Sequence, residues 1–229
     1  MSENLEILPK AAEQHVGWLD IRLPKSTIDR LTEYITFARE KNKKELLLFH
    51  SSVPPTPKAN RVTSWTLIDE NKWFYQSTLN QIINEYNNIF PRFIRNQSTL
   101  TFDCASTLSS FWVTVQRQNQ NIPSHDHTAV FSFVVWMKMP VNGDEKSVYY
   151  FQYLDILGNI QTEHIPLGPE DEGRMLFFPA QLNHGVYPFN FDSERLTVSG
   201  NIKYDPRQIV NNGNRIEPSQ STYGGYEFS

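Results

Sequence analysis

Arg195-Leu196-Thr197-Val198-Ser199-Gly200-Asn201-Ile202 alternates apolar or small residues with polar ones at every position. Successive side chains of a β-strand point to opposite faces, so Leu196, Val198, Gly200 and Ile202 share one face and Arg195, Thr197, Ser199 and Asn201 the other. The first face suits a core. The second is wholly polar, and such a face either meets solvent or lines the inside of a barrel. The same period-two rhythm starts near residue 100 and recurs in Trp112-Val113-Thr114-Val115-Gln116, Val130 to Met137, Val148 to Tyr153 and Met175-Leu176-Phe177-Phe178. Between these runs stand Pro140-Val141-Asn142-Gly143-Asp144, Gly158-Asn159, Gly168-Pro169 and Asp171-Glu172-Gly173, which suit turns because glycine accepts positive φ and proline presets φ. Many short strands with this punctuation predict a mainly β fold, a sandwich or jelly roll.

The N-terminal part reads differently. Ile28, Leu31, Ile35 and Ala38 recur at helical spacing behind Ser26, whose side-chain oxygen can cap an unpaired backbone N–H, so a helix is expected over about 27–40. Leu79, Ile82, Ile83 and Tyr86 form a second helical stripe that ends at Asn87-Asn88 before Pro91. Both helices are expected to pack on the outside of a sheet. Ser51-Ser52-Val53-Pro54-Pro55-Thr56-Pro57 cannot propagate a helix and is read as a loop. The 229 residues are expected to form a single domain, with a helical part over about 1–95, a β core over about 100–205 and an irregular tail over 206–229.

Charged residues make up 20% of the chain and the net charge is −4, with no basic block beyond Lys41-Asn42-Lys43-Lys44, so no nucleic-acid footprint is visible. Cys104 is the single cysteine, which excludes an intrachain disulfide. With no apolar run near a membrane span and no apolar core after Met1, a soluble protein of a reducing cytoplasm is expected.

Two segments carry chemistry. In Ser124-His125-Asp126-His127-Thr128, strand alternation would project His125 and His127 together and turn Asp126 away. Two imidazoles so placed can share a metal ion, and His184 is the downstream donor that can complete a facial triad with open positions for other ligands. Arg195 stands eleven positions beyond His184 on the polar strand face, beside Thr197. If that face lines a barrel, the guanidinium fork and the hydroxyl make a carboxylate site.

Taken in order, His125-x-His127, the strand Val130 to Met137, Gly173-Arg174-Met175-Leu176-Phe177-Phe178-Pro179 leading to His184, and Arg195-Leu196-Thr197-Val198-Ser199-Gly200-Asn201 resemble the iron(II)/2-oxoglutarate-dependent oxygenases. The likeness covers roughly residues 108–205. It is nearest the prolyl-hydroxylase-like branch, particularly small enzymes encoded by marine bacteriophages, where a Trp-Val strand precedes the histidine motif as Trp112-Val113 does here. The resemblance implies a double-stranded β-helix (a cupin-like jelly roll), Fe(II) held by His125, His127 and His184, and 2-oxoglutarate held by Arg195 with Thr197 assisting. It also implies O2 as oxidant and a hydroxylase-type dioxygenase reaction. One position departs from the family, which mostly has Asp or Glu where this chain has His127; either three histidines bind the metal, or Asp126 turns in through a bulge, or metal binding is degraded. A zinc hydrolase could use the same histidines but has no need of Arg195, and a silent jelly-roll binding module would keep the fold without the metal. No motif names the prime substrate, whether protein, peptide or small molecule, or an oligomeric state.

Overall fold

The computed structural model describes residues 5–13, 16–41, 46–47, 62–90, 103–140, 146–211 and 214–216. In chain order these form β1 (Glu6–Glu13), β2 (Val16–Arg22), α1 (Lys25–Lys41), β3 (Leu46–Leu47), β4 (Thr63–Thr66), α2 (Asn80–Ile89), β5 (Asp103–Arg117), β6 (Ile122–His125), β7 (Phe131–Lys138), β8 (Ser147–Leu154), β9 (Ile160–Leu167), β10 (Arg174–Pro179), β11 (Asn183–Val186), β12 (Glu194–Asn211) and β13 (Asn214–Ile216). The expected loop Ser51 to Pro57, most of the turn after Pro140, and the chain after 216 lie outside the described residues.

The strands build two antiparallel sheets. The larger runs in the order β1-β2-β10-β7-β12-β5-β4-β3, with β13 paired to β12, and the smaller runs β6-β11-β8-β9. From β5 to β12 the chain crosses between the sheets at every step except the β8–β9 hairpin, which stays in the smaller sheet; this is the jelly roll predicted by the strand rhythm, in the double-stranded β-helix form that the resemblance implied.

Each face of the large sheet carries its own core. On the outside, Leu31 and Ile35 of α1 and Ile82, Ile83 and Tyr86 of α2 pack with Leu19, Val113, Phe133, Phe177 and Val198. Both helices thus cover the sheet as anticipated. Between the sheets, Trp18, Trp136, Tyr149, Phe151, Leu176 and Phe178 fill the closed part of the barrel. The second helix is entered through a π-helical turn, Tyr75–Leu79, and Asp69 holds its start by accepting the N–H groups of Phe74 at 2.7 Å and Tyr75 at 2.9 Å.

Two expectations need correction. The N-terminal part is not only helical: β2 pairs with both β1 and β10 and extends the large sheet. A forked ion pair fixes this junction, with Arg174 donating to both Asp20 carboxylate oxygens at 2.8 and 2.7 Å and to Asp171 at 2.8 Å. The stretch after 205 is also not wholly irregular, because β12 continues to Asn211 and β13 follows. A register shift against β5 between Tyr204 and Ile209 takes up Pro206, whose missing donor would otherwise interrupt the ladder.

Gly200 marks a close approach in this sheet. A Cβ there would sit 2.6 Å from the Phe133 ring, which is packed in the outer core, and 2.8 Å from the Ser110 carbonyl oxygen, a backbone atom held by the β5–β12 pairing. Gly200→Ala is therefore expected to destabilise the fold by about 1–3 kcal/mol, the usual cost of overpacking, read as a lower urea midpoint at unchanged slope.

Candidate active site

His125 ends β6 and His184 lies in β11, and the two face each other directly in the antiparallel register. A bulge between His184 and Val186 shifts the pairing at this point, and bulges commonly re-aim side chains beside functional sites. Gly185 inside the bulge lets Tyr150 close over the strand, since a Cβ would lie 2.4 Å from the Tyr150 hydroxyl and 2.8 Å from the Ile122 carbonyl oxygen.

His127 arrives by another route than strand alternation. β6 stops at His125, and His127 sits in the following loop, where its N–H donates to the Ala180 carbonyl at 2.9 Å and its own carbonyl accepts the Ala129 N–H at 2.9 Å. The outcome is nevertheless convergence: ring centres are 4.4 Å apart for His125 and His184, 4.9 Å for His125 and His127, and 5.2 Å for His127 and His184. One ligand nitrogen from each lies within 4.8 Å of the others, and Asp126 is exposed and not part of the group.

The tautomers suit a metal. His125 Nδ1 donates to the Pro123 carbonyl at 2.8 Å and His184 Nδ1 to the Leu182 carbonyl at 2.8 Å, which puts the lone pair of each ring on Nε2. Burial pushes the His125 imidazole below its ordinary value, against the opposing pull of the Pro123 carbonyl and of Asp126, and so favours the neutral, ligating form. The donor set thus fits a divalent first-row metal.

The three histidines line a cavity of about 290 Å³ that also takes in Trp112, Arg195 and Thr197. The polar face of β12 therefore looks into the barrel and not to solvent. Arg195 is 2% exposed. It donates through Nη1 to the Ser147 hydroxyl of β8 and through Nη2 to Gln116 Oε1 of β5, both neutral acceptors. Burial pushes its guanidinium down to about 9, so it is still a cation at neutral pH. Among the described residues no carboxylate pairs with it, and a buried cation without an anion is costly enough to call for one from outside. A ligand carboxylate fits this site.

Sequence reasoning named His125, His127, His184, Arg195 and Thr197, and all five line this cavity. It missed Gln116 and Ser147. Parity held the signal for the first, because Gln116 shares a strand face with Trp112 and Thr114, which also line the cavity. Trp112, Phe133 and Tyr149 border the cavity, while Phe131 packs against Tyr86 and Phe177 in the outer core and the Tyr150 ring lies tilted against that of Tyr187.

Known proteins give the following comparison. Residues 110–201 match the family model described as "Putative 2OG-Fe(II) oxygenase". No curated protein sequence matches the chain. Among solved structures, a prolyl-4-hydroxylase from Pseudomonas putida is similar at 14% identity and TM-score 0.53, covering 82% of this chain and 93% of that one. The 2-oxoglutarate-dependent carbocyclase SnoK of nogalamycin biosynthesis is similar at 8% identity and TM-score 0.54, covering 90% and 91%. HygX from Streptomyces hygroscopicus, solved with nickel, 2-oxoglutarate and hygromycin B, is similar at 8% identity and TM-score 0.53, covering 83% and 84%. At these identities the three structures speak for the fold.

No transmembrane-length apolar helix occurs among the described residues. A zinc hydrolase would account for the histidines and leave Arg195 idle, and a binding module without metal would leave the preset imidazole tautomers idle. The reading that uses both features is the one the matched segment carries: residues 110–201 are similar to the 2OG-Fe(II) oxygenases, enzymes that work with Fe(II), 2-oxoglutarate and O2.

Proposed function

We propose that His125, His127 and His184 hold Fe(II), that Arg195 and Thr197 bind the distal carboxylate of 2-oxoglutarate, and that the enzyme is a hydroxylase-type dioxygenase. The carrying observation is the buried Arg195, a cation with only neutral partners among the described residues, in the same cavity as three convergent imidazoles. Fe(II) with 2-oxoglutarate and O2 supplies oxidative decarboxylation to succinate and CO2 coupled to oxidation of a second substrate.

The chain's own residues do the positioning. Carbonyls of Pro123 and Leu182 fix two imidazoles, and the Ala180 carbonyl fixes the backbone that carries the third. Arg195 offers a charged fork to the same cavity, and Trp112, with its ring 5.9 Å from that of His127, walls it beside the histidines. Trp136, Tyr149 and Phe178 give the cavity an apolar lining, which strengthens charge interactions inside it.

We further propose a single oxygenase domain over 1–229, supported by β1 and β2 continuing the same sheet as the barrel strands. A reducing cytoplasm, the host's if the gene belongs to a bacteriophage, suits an Fe(II) site in a chain with one cysteine. Incubation with Fe(II), 2-oxoglutarate and O2 is expected to yield succinate without added prime substrate, and zinc substitution to abolish it. Succinate at background levels in the iron-loaded protein would refute the oxygenase assignment of this site, while a product 16 Da heavier in a treated lysate identifies the substrate.

A further inference from the structure

Arg195 is held by a side chain whose own orientation leaves no choice. Gln116 sits directly across from Arg195 in the β5–β12 register and is 1% exposed. Its Nε2 donates to the Gln120 carbonyl and, at 3.4 Å, to the Tyr187 carbonyl. Carbonyls only accept, so the amide nitrogen must face them and Oε1 must face the guanidinium. The Gln120 carbonyl is fixed in turn, because Gln120 Oε1 accepts the Arg117 N–H at 2.7 Å and its own N–H donates to the Arg117 carbonyl at 3.1 Å. The loop after β11 is tied to the same turn through the Asn119 N–H on the Phe189 carbonyl at 2.8 Å, and the Phe189 ring lies 5.9 Å from the guanidinium carbon.

The consequence is a clamp of neutral acceptors. Gln116 from the large sheet and Ser147 from the small sheet each take one of the five N–H donors of Arg195. Neither brings a negative charge, so both fix the plane of the fork and leave its charge for the ligand. A carboxylate at either position would satisfy Arg195 internally and occupy the donors that a co-substrate needs.

Resting on the reading of Arg195 given above, we infer that Gln116, assisted by Ser147, is a positioning residue that aims the Arg195 guanidinium at the distal carboxylate of the co-substrate. It acts through Arg195 and therefore on diacids alone. A 2-oxo acid without the distal carboxylate, 2-oxobutyrate, should not sense it.

The test is calorimetric titration of the Fe(II)-loaded protein under nitrogen, where no turnover occurs, with 2-oxoglutarate and with 2-oxobutyrate. Gln116→Met, close in volume but without the acceptor, is expected to weaken 2-oxoglutarate about tenfold, the lower range for hydrogen bonding to a charged group, and to leave 2-oxobutyrate within about twofold. Ser147→Ala should show the same selectivity and supplies the answer if the first variant does not fold. Adding Gln116→Met to Arg195→Met should cost nothing more, because the effect runs through the guanidinium. Equal weakening of both acids would mean that Gln116 only supports the fold, and unchanged 2-oxoglutarate binding in both single variants while Arg195→Met loses it would overturn the clamp alone. If Arg195→Met itself binds 2-oxoglutarate normally, the underlying reading of Arg195 fails with it.

Discussion

His127→Ala is expected to abolish iron binding and succinate formation, by at least about 100-fold in metal affinity, whereas Asp126→Asn leaves both within about twofold. The scale follows from outer-shell partners of metal ligands, whose loss alone costs roughly 10–100-fold, so removal of a ligand must cost more. The geometry separates the two neighbours. The His127 ring stands 4.9 and 5.2 Å from the other two imidazoles, and its backbone is pinned to the Ala180 carbonyl. Asp126 is exposed, and bringing it inward would break that pin and turn a histidine out. His127→Asp should restore a carboxylate of the usual family type, with measurable uncoupled decarboxylation of 2-oxoglutarate. An inactive Asp126→Asn together with an iron-binding His127→Ala would reverse the assignment. Equilibrium dialysis of iron and succinate yield read the two quantities separately.

How far this site could be read in advance depended on what lay on each side of a strand. Arg195 to Ile202 was legible because its two faces meet different surroundings, the outer core and the cavity. β2 gave no such signal. Trp18 packs between the sheets and Leu19 packs under the helices, so neighbouring residues are both buried and the alternation disappears. β9 failed for the opposite reason: it is an edge strand, mostly exposed on both faces, and its composition reads as loop. The helical stripes of α1 and α2 were readable because each helix buries one face only. At the histidine end, parity paired two histidines that the structure also brings together, but from a premise that holds for one of them, since β6 ends at His125 and a loop contact to Ala180 delivers His127. That contact joins residues far apart in sequence and leaves no local trace. Gln116 was silent for a similar reason, because an amide in a strand becomes informative only once the carbonyls that orient it are known.

Arg195→Ala is expected to eliminate 2-oxoglutarate binding while iron affinity stays within about twofold of the parent. Truncating one partner of a buried, hydrogen-bonded charge pair costs about 2–5 kcal/mol, which corresponds to roughly 30-fold to several-thousand-fold in affinity. The upper part of that range applies here, because the cavity offers the carboxylate no second cation among the described residues that line it. The guanidinium is not among the ligating group, so the metal has no direct reason to respond. Arg195→Lys should recover only part of the binding: a lysine keeps the charge but cannot present the planar fork or hold the Gln116 and Ser147 acceptors together. Thermal melts give an independent reading, since a ligand present at 100 times its Kd stabilises the folded protein by about 2.7 kcal/mol. The parent melt should rise with 2-oxoglutarate and the Arg195→Ala melt should not, both being iron-loaded under nitrogen. Parallel loss of iron and 2-oxoglutarate would instead make Arg195 a structural residue of the barrel, and the anion site would have to be sought elsewhere.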